Sequence, residues 1–313
     1  MALRRRRDIW DVVIIGGGMA GLTAAWQASR RGLSVALLEA QPVCGGQIAT
    51  VNEIDDYPST TPVSGPEVAA SLAARISTEG VSIIYESVST IAKVQDLWSV
   101  KVEKDTLRAR RIIAASGASL RVLGIPGEEK LRGMGVSQCA HCDGGFFRGQ
   151  DVAVIGGGDA ALQEAVVLAN MCRSVYVVVR SPIKARRTLI DRAASKDNLR
   201  FIWNVNVEEI LGDNGVTGLA LVNTKDGTKS ELPCSGVFPF VGVEPNAAYL
   251  PPAILRDRTG AVFVDSNFRT TEPTLYAIGA LRAGFGGDIV SAIGEAALAA
   301  KLVAEETGIN TEQ

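Results

Sequence analysis

The sequence predicts an α/β fold of two Rossmann-like domains, each of three layers (ββα), with the second domain inserted into the first. Three observations predict it. The apolar segment and glycine turn at residues 11–21, DVVIIGGGMAG, reappears at residues 151–161 as DVAVIGGGDAA, a constant offset of 140. Each copy continues into a helical pattern and a second apolar strand, at residues 33–38 and 175–179. Short strands punctuated by Gly and Pro fill the remainder, without a low-complexity tract.

Three segments predict where the chain passes between the domains. Residues 116–118 (SGA) and 124–127 (GIPG) predict the outgoing crossing, and residues 238–245 predict the return. The predicted boundaries are therefore 1–118 and 245–313 for the first domain and 119–244 for the inserted domain.

Composition limits the classes of function. The 313 residues suffice for about two domains, and 32 Lys and Arg against 34 Asp and Glu give a formal net charge of −2. That balance argues against a binder of nucleic acid or anionic membranes, which would carry a basic excess. His141 is the one histidine, which excludes His-rich metal sites. No apolar run reaches the ~20 residues that span a bilayer. Arg4 to Arg7 are interpreted as a solvated tail, so we expect a cytoplasmic protein.

The residues of both glycine turns are those that a pyrophosphate site needs. The first glycine permits the tight turn, the second lets the backbone approach the pyrophosphate, and the third small residue lets the helix pack on the strand. The pyrophosphate then lies against free N–H groups at the start of the helix. In order, these positions are Gly16, Gly18 and Gly21 in the first copy and Gly156, Gly158 and Ala161 in the second. Two such motifs in strand–turn–helix–strand context predict two dinucleotide sites rather than two empty turns.

The two copies differ where the second strand ends. The first ends in Glu39, whose carboxylate can accept hydrogen bonds from ribose hydroxyls and would repel a 2′-phosphate. The second has Val179 followed by Arg180, which neither repels a 2′-phosphate nor excludes NAD. We therefore expect FAD at the first copy and NADPH at the second, with NADH as the alternative.

A pair of cysteines lies just before the second glycine turn. Cys139 and Cys142, spaced C-x-x-C at a predicted helix start, can close a short-loop disulfide, and the helix end lowers the pKa of one thiol. A zinc half-site is the alternative, but it needs two more ligands nearby, and the remaining cysteines are scattered singly. We interpret Cys44, Cys172 and Cys234 as small buried apolar residues.

The chain resembles the low-molecular-weight thioredoxin reductases along essentially its whole length. The matching segments are residues 16–21, 45–47, 124–128, 139–146, 156–161, 236–246 and 274–279. The resemblance implies a homodimer with a FAD-binding domain, 1–118 with 245–313, and an NAD(P)H-binding domain, 119–244, that carries the dithiol and rotates relative to the flavin domain. Electrons would pass from NADPH to FAD, to the disulfide, and on to a thioredoxin-type protein disulfide.

The resemblance also implies roles for single residues. Cys142 would be the thiol nearer the flavin, Cys139 would attack the partner disulfide, and Asp143 would be the acid/base that moves the dithiol's proton. A helix N-cap is the structural interpretation of Asp143, and it is compatible with the acid/base role. The expected cofactor-binding residues are Gly16, Gly18, Met19, Ala20, Gly21, Glu39, Gly46, Gln47, Val88, Gly117, Gly156, Gly158, Asp159, Ala160, Ala161, Arg180, Gly279, Ala280 and Ile289.

Several residues depart from the family's pattern. Of the arginines that grip a 2′-phosphate only Arg180 is in register, although Arg186 and Arg187 lie close by. Ala280 stands where the family has an aspartate that binds the flavin's ribityl chain. The other departures are Asp56 in place of an Asn, Gly287 in place of the Arg of the family's Arg-Gln pair, Asp288 at the end of that pair, and His141 in place of a small polar spacer.

Two further hypotheses stay open, of which the departures favour the first. One is the same scaffold with another electron route, as a ferredoxin-dependent thioredoxin reductase or a FAD dithiol oxidase. The other is a redox-sensing binding protein with structural FAD. For His141, an imidazolium would stabilise a thiolate and raise the disulfide's potential, and the alternative is an exposed spacer without consequence.

Overall fold

A computed structural model describes residues 8–51, 54, 57–58 and 63–308. The basic arm at Arg4 to Arg7 and the departure at Asp56 lie outside the described residues. In chain order the elements are β1 (Trp10–Ile15), α1 (Met19–Ser29), β2 (Val35–Leu38), α2 (Gly65–Thr78), β3 (Ser82–Ile84), β4 (Val88–Val94), β5 (Leu97–Val102), β6 (Thr106–Ala114), β7 (Ala118–Leu120), α3 (Ala140–Asp143), β8 (Asp151–Ile155), α4 (Asp159–Ala169), β9 (Ser174–Val179), α5 (Arg187–Ala194), β10 (Leu199–Trp203), β11 (Val205–Leu211), β12 (Gly218–Asn223), β13 (Lys229–Pro233), β14 (Gly236–Pro239), β15 (Val243–Pro245), β16 (Leu275–Ala277) and α6 (Ile289–Glu306).

The chain divides into two units, one of residues 1–119 and 244–313 and the other of residues 120–243. The divisions lie one residue from the positions expected from the sequence, after residue 119 rather than 118 and after residue 243 rather than 244.

The first unit is built on one large sheet in the order β3-β2-β1-β6-β5-β4, with β16 also paired to β6. Strands β3, β2, β1, β6 and β16 are parallel, whereas β4, β5 and β6 pair antiparallel. Helices α1, α2 and α6 pack on one face, where α1 contributes an almost continuous run of buried small and apolar residues. This is the expected α/β architecture, although β2 begins at Val35 rather than Leu33 because the turn at Gly32 has a positive φ of 80°.

The second unit has the three predicted layers. Its parallel sheet runs in the order β10-β9-β8-β14. Helices α4 and α5 pack on one face of that sheet, and the antiparallel sheet β11-β12-β13 packs on the other. The repeated strand–turn–helix–strand segment therefore forms β8, α4 and β9 here, as it forms β1, α1 and β2 in the first unit.

Among the described helices, none combines the length and the apolar character that crossing a membrane requires.

Candidate dinucleotide and redox sites

The first glycine turn joins β1 to α1 with almost no space between helix and strand. Gly16 has φ +108°, and a Cβ added there would lie 2.3 Å from the carbonyl oxygen of Ala115. A Cβ added at Gly21 would lie 1.8 Å from the carbonyl oxygen of Gly16. Gly18 is different, since its added Cβ would meet nothing closer than 4.0 Å. The turn is thus closed by backbone on the strand side and open at Gly18, a cradle that fits the pyrophosphate of a dinucleotide.

Glu39, at the end of β2, is oriented by the backbone around this turn. Its side chain is buried, Oε2 accepts a hydrogen bond from Gly17 N–H at 2.7 Å, and Oε1 accepts one from Gln41 N–H at 2.8 Å. Two N–H donors stabilise the ionised carboxylate. Each oxygen keeps a lone pair, so the group fits the predicted acceptor for ribose hydroxyls.

Most of the other residues expected at the flavin surround the first turn of α1. A Cβ added at Gly46 would lie 3.2 Å from the Cα of Gly18, and one at Gly279 would lie 3.1 Å from the Cβ of Ala20. Gln47 donates a hydrogen bond from Nε2 to the carbonyl oxygen of Ala118, which follows Gly117. Met19 and Ile289 share an apolar cluster. Val88 lies apart from this group, at the start of β4, where it packs against the core on the other face of the sheet.

A buried carboxylate that sequence reasoning missed supports the turn at Gly279. Glu295 of α6 is 6% exposed; its Oε2 accepts a hydrogen bond from Gly279 N–H at 2.8 Å, and its Oε1 pairs with Arg282. Ala280 in the same turn brings no carboxylate. Asp288 is the N-cap of α6 and accepts a hydrogen bond from Ser291 N–H at 2.7 Å. Glu295 gave no signal in the sequence, because only the packing of α6 brings it to a turn 16 residues earlier.

The second glycine turn, in the other unit, repeats the geometry of the first. Gly156 has φ +140°, and an added Cβ would lie 2.1 Å from the carbonyl oxygen of Phe240, whereas Gly158 has nothing within 4 Å. Ala161 is fully buried against the sheet, as its predicted packing role requires. Asp159 begins α4, followed by the exposed Ala160.

The loop after β9 folds back over this second turn. Lys184 N–H donates to the carbonyl oxygen of Gly157 at 2.8 Å. Asp159 accepts a hydrogen bond from Arg186 N–H at 2.7 Å and pairs with the Arg186 guanidinium at 2.8 Å. Arg187 pairs with Asp191 at 2.9 Å. Both nearby arginines are thus engaged with carboxylates, which leaves Arg180 and Lys184 as the basic side chains nearest the end of β9.

The two cysteines of the C-x-x-C motif are joined by a disulfide bond, and Cys139 is the N-cap of the one-turn helix α3. The predicted helix start and the predicted disulfide are both confirmed. Cys142 N–H points at the Sγ of Cys139 at 3.1 Å. Asp143 is half-buried, and its N–H donates to the carbonyl oxygen of Cys139 at 3.1 Å. The expected capping by Asp143 is wrong, because its side chain makes no capping hydrogen bond to the turn that follows.

The remaining cysteines are single. Cys172 and Cys234 are buried, and burial raises the pKa of their thiols to about 11 and about 12, so both are inert neutral groups near pH 7. Cys44 departs from the expectation of full burial: it is half-buried, with Sγ 3.9 Å from the Tyr85 hydroxyl. In the described part of the chain, no group of three or more His, Cys, Asp or Glu side chains is arranged to hold a metal ion.

Comparison with known proteins gives concordant results. Residues 10–301 match the pyridine nucleotide-disulphide oxidoreductase family. The thioredoxin reductase of Listeria monocytogenes is 39% identical over 93% of this chain and 92% of its own length. A bifunctional thioredoxin reductase/thioredoxin of Mycobacterium leprae is 38% identical over 90% of this chain and 60% of its own length. The crystal structure of Lactococcus lactis thioredoxin reductase superposes with a TM-score of 0.91 at 36% identity, covering 95% of this chain and 98% of that one.

Two glycine turns and a disulfide at a helix start define a flavin- and pyridine-nucleotide-dependent disulfide oxidoreductase. The chain belongs to the pyridine nucleotide-disulphide oxidoreductase family and, within it, to the thioredoxin reductases. The expected resemblance and fold class are confirmed, and the comparisons support the thioredoxin reductase interpretation over the alternative electron routes.

Proposed function

We propose that the protein uses NADPH and FAD to reduce a thioredoxin-type protein disulfide through the Cys139–Cys142 pair. The observation that carries the proposal is the disulfide at the start of α3, one strand before the second glycine turn, in a chain of the thioredoxin reductase family. The bound flavin and nicotinamide supply the two-electron chemistry that amino-acid side chains lack.

Residues of this chain perform the exchange with the partner. In the reduced enzyme the Cys139 thiolate attacks one sulfur of the partner disulfide, forming a mixed disulfide and releasing one partner thiolate. Cys142 then attacks the Cys139 sulfur as a thiolate, which closes the enzyme disulfide and releases the second partner sulfur as a thiolate that solvent protonates. Asp143 takes up the proton that Cys142 loses and returns one when the enzyme is reduced again. Assigning the attack to Cys139 rests on the Cys142 N–H, which stabilises a thiolate at the Cys139 sulfur.

The two glycine turns would hold the cofactors. The open cradle at Gly18 and the carboxylate of Glu39 fit the pyrophosphate and a ribose that carries no 2′-phosphate, which favours FAD in the first unit. In the second unit, Gly158 and the N–H groups at the start of α4 fit a second pyrophosphate. Arg180 and Lys184 are the cations that would meet a 2′-phosphate, which favours NADPH over NADH.

A protein partner is favoured by the surface beside the disulfide. Phe146, in the turn that directly follows α3, is 79% exposed. An exposed aromatic side chain of this kind is typical of a protein-binding surface. We also propose, from the family, that the protein works as a homodimer in the cytoplasm.

An anaerobic titration followed by flavin absorbance tests the donor. We expect NADPH to bleach the flavin at micromolar concentration and thioredoxin to be reduced when it is added afterwards. In the variant Cys139→Ser/Cys142→Ser, bleaching should persist and thioredoxin reduction should stop. Bleaching by NADH alone would identify NADH, rather than NADPH, as the donor. A flavin that dithionite reduces but neither nucleotide does would overturn the pyridine-nucleotide route and favour ferredoxin or a dithiol as donor.

Single-cysteine variants test the roles of the two thiols. We expect Cys142→Ser to accumulate a mixed disulfide between Cys139 and thioredoxin, visible by mass spectrometry, whereas Cys139→Ser should not. The opposite pattern would reverse the assignment, since Cys142 is the more exposed thiol.

A further inference from the structure

One half-buried acid beside the disulfide has no role in the steps above. Glu164 lies in α4, and its Oε2 accepts a hydrogen bond from Ala140 N–H at 2.7 Å. Ala140 is fully buried and is the first residue of α3; its nitrogen is bonded to the carbonyl carbon of Cys139. The Glu164 carboxylate of α4 is thus hydrogen-bonded to the backbone of the redox-active turn in α3, directly next to Cys139, which carries a reacting sulfur.

The charges around this contact are few. Helix α3 packs against α4 and against the turn at residues 144–147, which has no titratable side chain and is followed by the exposed Arg148. The acids of α4 are Glu164 and Asp159, and the latter is held by Arg186. Helix α3 itself adds Asp143 and His141.

Glu164 and His141 interact electrostatically across the two helices. Burial raises the pKa of the Glu164 carboxyl, and the Ala140 N–H and the His141 imidazole act against that rise. His141 is half-buried rather than the exposed spacer that the sequence allowed as an alternative.

We propose that Glu164 is a positioning residue for the redox-active turn: its carboxylate holds the Ala140 N–H at the start of α3 and so sets the equilibrium between the Cys139–Cys142 disulfide and its dithiol. The inference rests on the proposed function only in taking this disulfide as the redox centre.

The direction of the effect follows from charge. Reducing the disulfide takes two electrons and, near neutral pH, one proton, and leaves one thiol and one thiolate. A carboxylate beside the turn disfavours the thiolate and therefore favours the disulfide, whereas an imidazolium at position 141 favours the thiolate. Replacing Glu164 with the neutral isostere should therefore favour the dithiol.

Equilibration of the full-length protein with mixtures of reduced and oxidised dithiothreitol tests the inference, with alkylation and mass spectrometry as the readout. Glu164→Gln keeps an oxygen for the Ala140 N–H and removes only the charge. We expect its equilibrium to shift three- to tenfold toward the dithiol at pH 7.5, where tenfold corresponds to roughly 30 mV. The control is Glu231→Gln, the same charge change at an exposed position of β13 in the same unit, which should leave the equilibrium unchanged. Equal equilibria for the two variants would overturn the proposal.

The single histidine provides a second readout that does not depend on the dithiol. The readout is an NMR titration of the histidine-labelled protein with pH. The chemical shift of the His141 Cε1–H should show an additional inflection where Glu164 ionises. That inflection should vanish in Glu164→Gln and persist in Glu231→Gln. Its persistence in Glu164→Gln would also overturn the proposal. If Glu164→Gln fails to fold, Glu164→Asp, whose shorter side chain withdraws the charge from the Ala140 N–H, should also shift the thiol equilibrium toward the dithiol, and no shift would overturn the proposal.

Failure of this inference and failure of the proposed function are distinguishable. Neither readout uses a nicotinamide, flavin absorbance or thioredoxin. If Glu164→Gln shifts the thiol equilibrium in a protein that no pyridine nucleotide reduces, the inference is supported and the proposed donor is refuted. If NADPH reduces the protein normally and Glu164→Gln leaves the thiol equilibrium unchanged, the donor is supported and the inference is refuted.

Discussion

Replacing Gly21 with alanine tests how closely α1 must approach the strand beneath it. In an ordinary helix position Gly→Ala improves stability by up to about 1 kcal/mol, because the backbone loses less entropy on folding. Here the new Cβ would lie 1.8 Å from the carbonyl oxygen of Gly16, whereas real contacts of this kind stay above 3.0 Å. The helix would have to move by more than an ångström, and a backbone oxygen cannot rotate away as a side chain can.

The two effects have opposite signs, and their magnitudes decide the outcome. Overpacking a buried contact costs about 1–3 kcal/mol, and we take the upper end because α1 is buried against α6 and the sheet. Setting this against the gain in helix propensity, we expect Gly21→Ala to destabilise the first unit by about 2 kcal/mol or more. We also expect flavin to be lost on purification, because the same turn forms the cradle at Gly18.

Urea unfolding followed by tryptophan fluorescence measures the change, since Trp10, Trp26 and Trp98 all belong to the first unit. The matched control is Gly294→Ala in α6, an exposed helical glycine whose added Cβ meets nothing within 4 Å. It should be neutral or stabilising by up to about 1 kcal/mol. A Gly21→Ala protein as stable as the control would refute the close contact between helix and turn.

Three further predictions concern other residues. Glu306→Gln should cost about 1–2 kcal/mol at pH 7 by breaking the pairs with Arg111 at 3.1 Å and Arg269 at 2.5 Å. Burial alone would raise the pKa of Glu306, but the neighbouring Tyr276 and the two arginines lower it. The stabilisation from Glu306 is therefore present above pH 4.5 and is lost as the pH falls through the lowered pKa. The urea unfolding curves of wild type and variant should accordingly converge in acid. Phe146→Ala should raise KM for thioredoxin several-fold and leave the reduction of a small aromatic disulfide unchanged, and equal losses for both substrates would contradict a docking role. Glu295→Gln should cost about 3 kcal/mol in urea unfolding, because it takes the carboxylate away from the largely buried Arg282 guanidinium, and adding Arg282→Met should recover part of that loss.

Much of the candidate site could be predicted because its residues lie close together in the sequence. The glycine turns, the acid at the end of β2 and the C-x-x-C pair each depend on residues within about 25 positions of one another, and their backbone requirements are local. Departures from the family's pattern could also be read from the sequence, as at Ala280. What could not be read was how neighbouring charges are used: Arg186 and Arg187 were seen to lie close to Arg180 in the sequence, and the structure pairs them with Asp159 and Asp191.

The sequence by itself determined the fold class, the repeated glycine turn and the Cys139–Cys142 disulfide, since backbone conformation and the reach of a two-residue spacer are set by adjacent residues. Only the tertiary structure decided which carboxylates support them. Glu164 meets Ala140 across 24 residues, Glu295 meets Gly279 across 16, and Asp159 meets Arg186 across 27. Such contacts join one element to another element or loop, and no local pattern marks them, because their partners are backbone N–H groups that every residue except proline possesses.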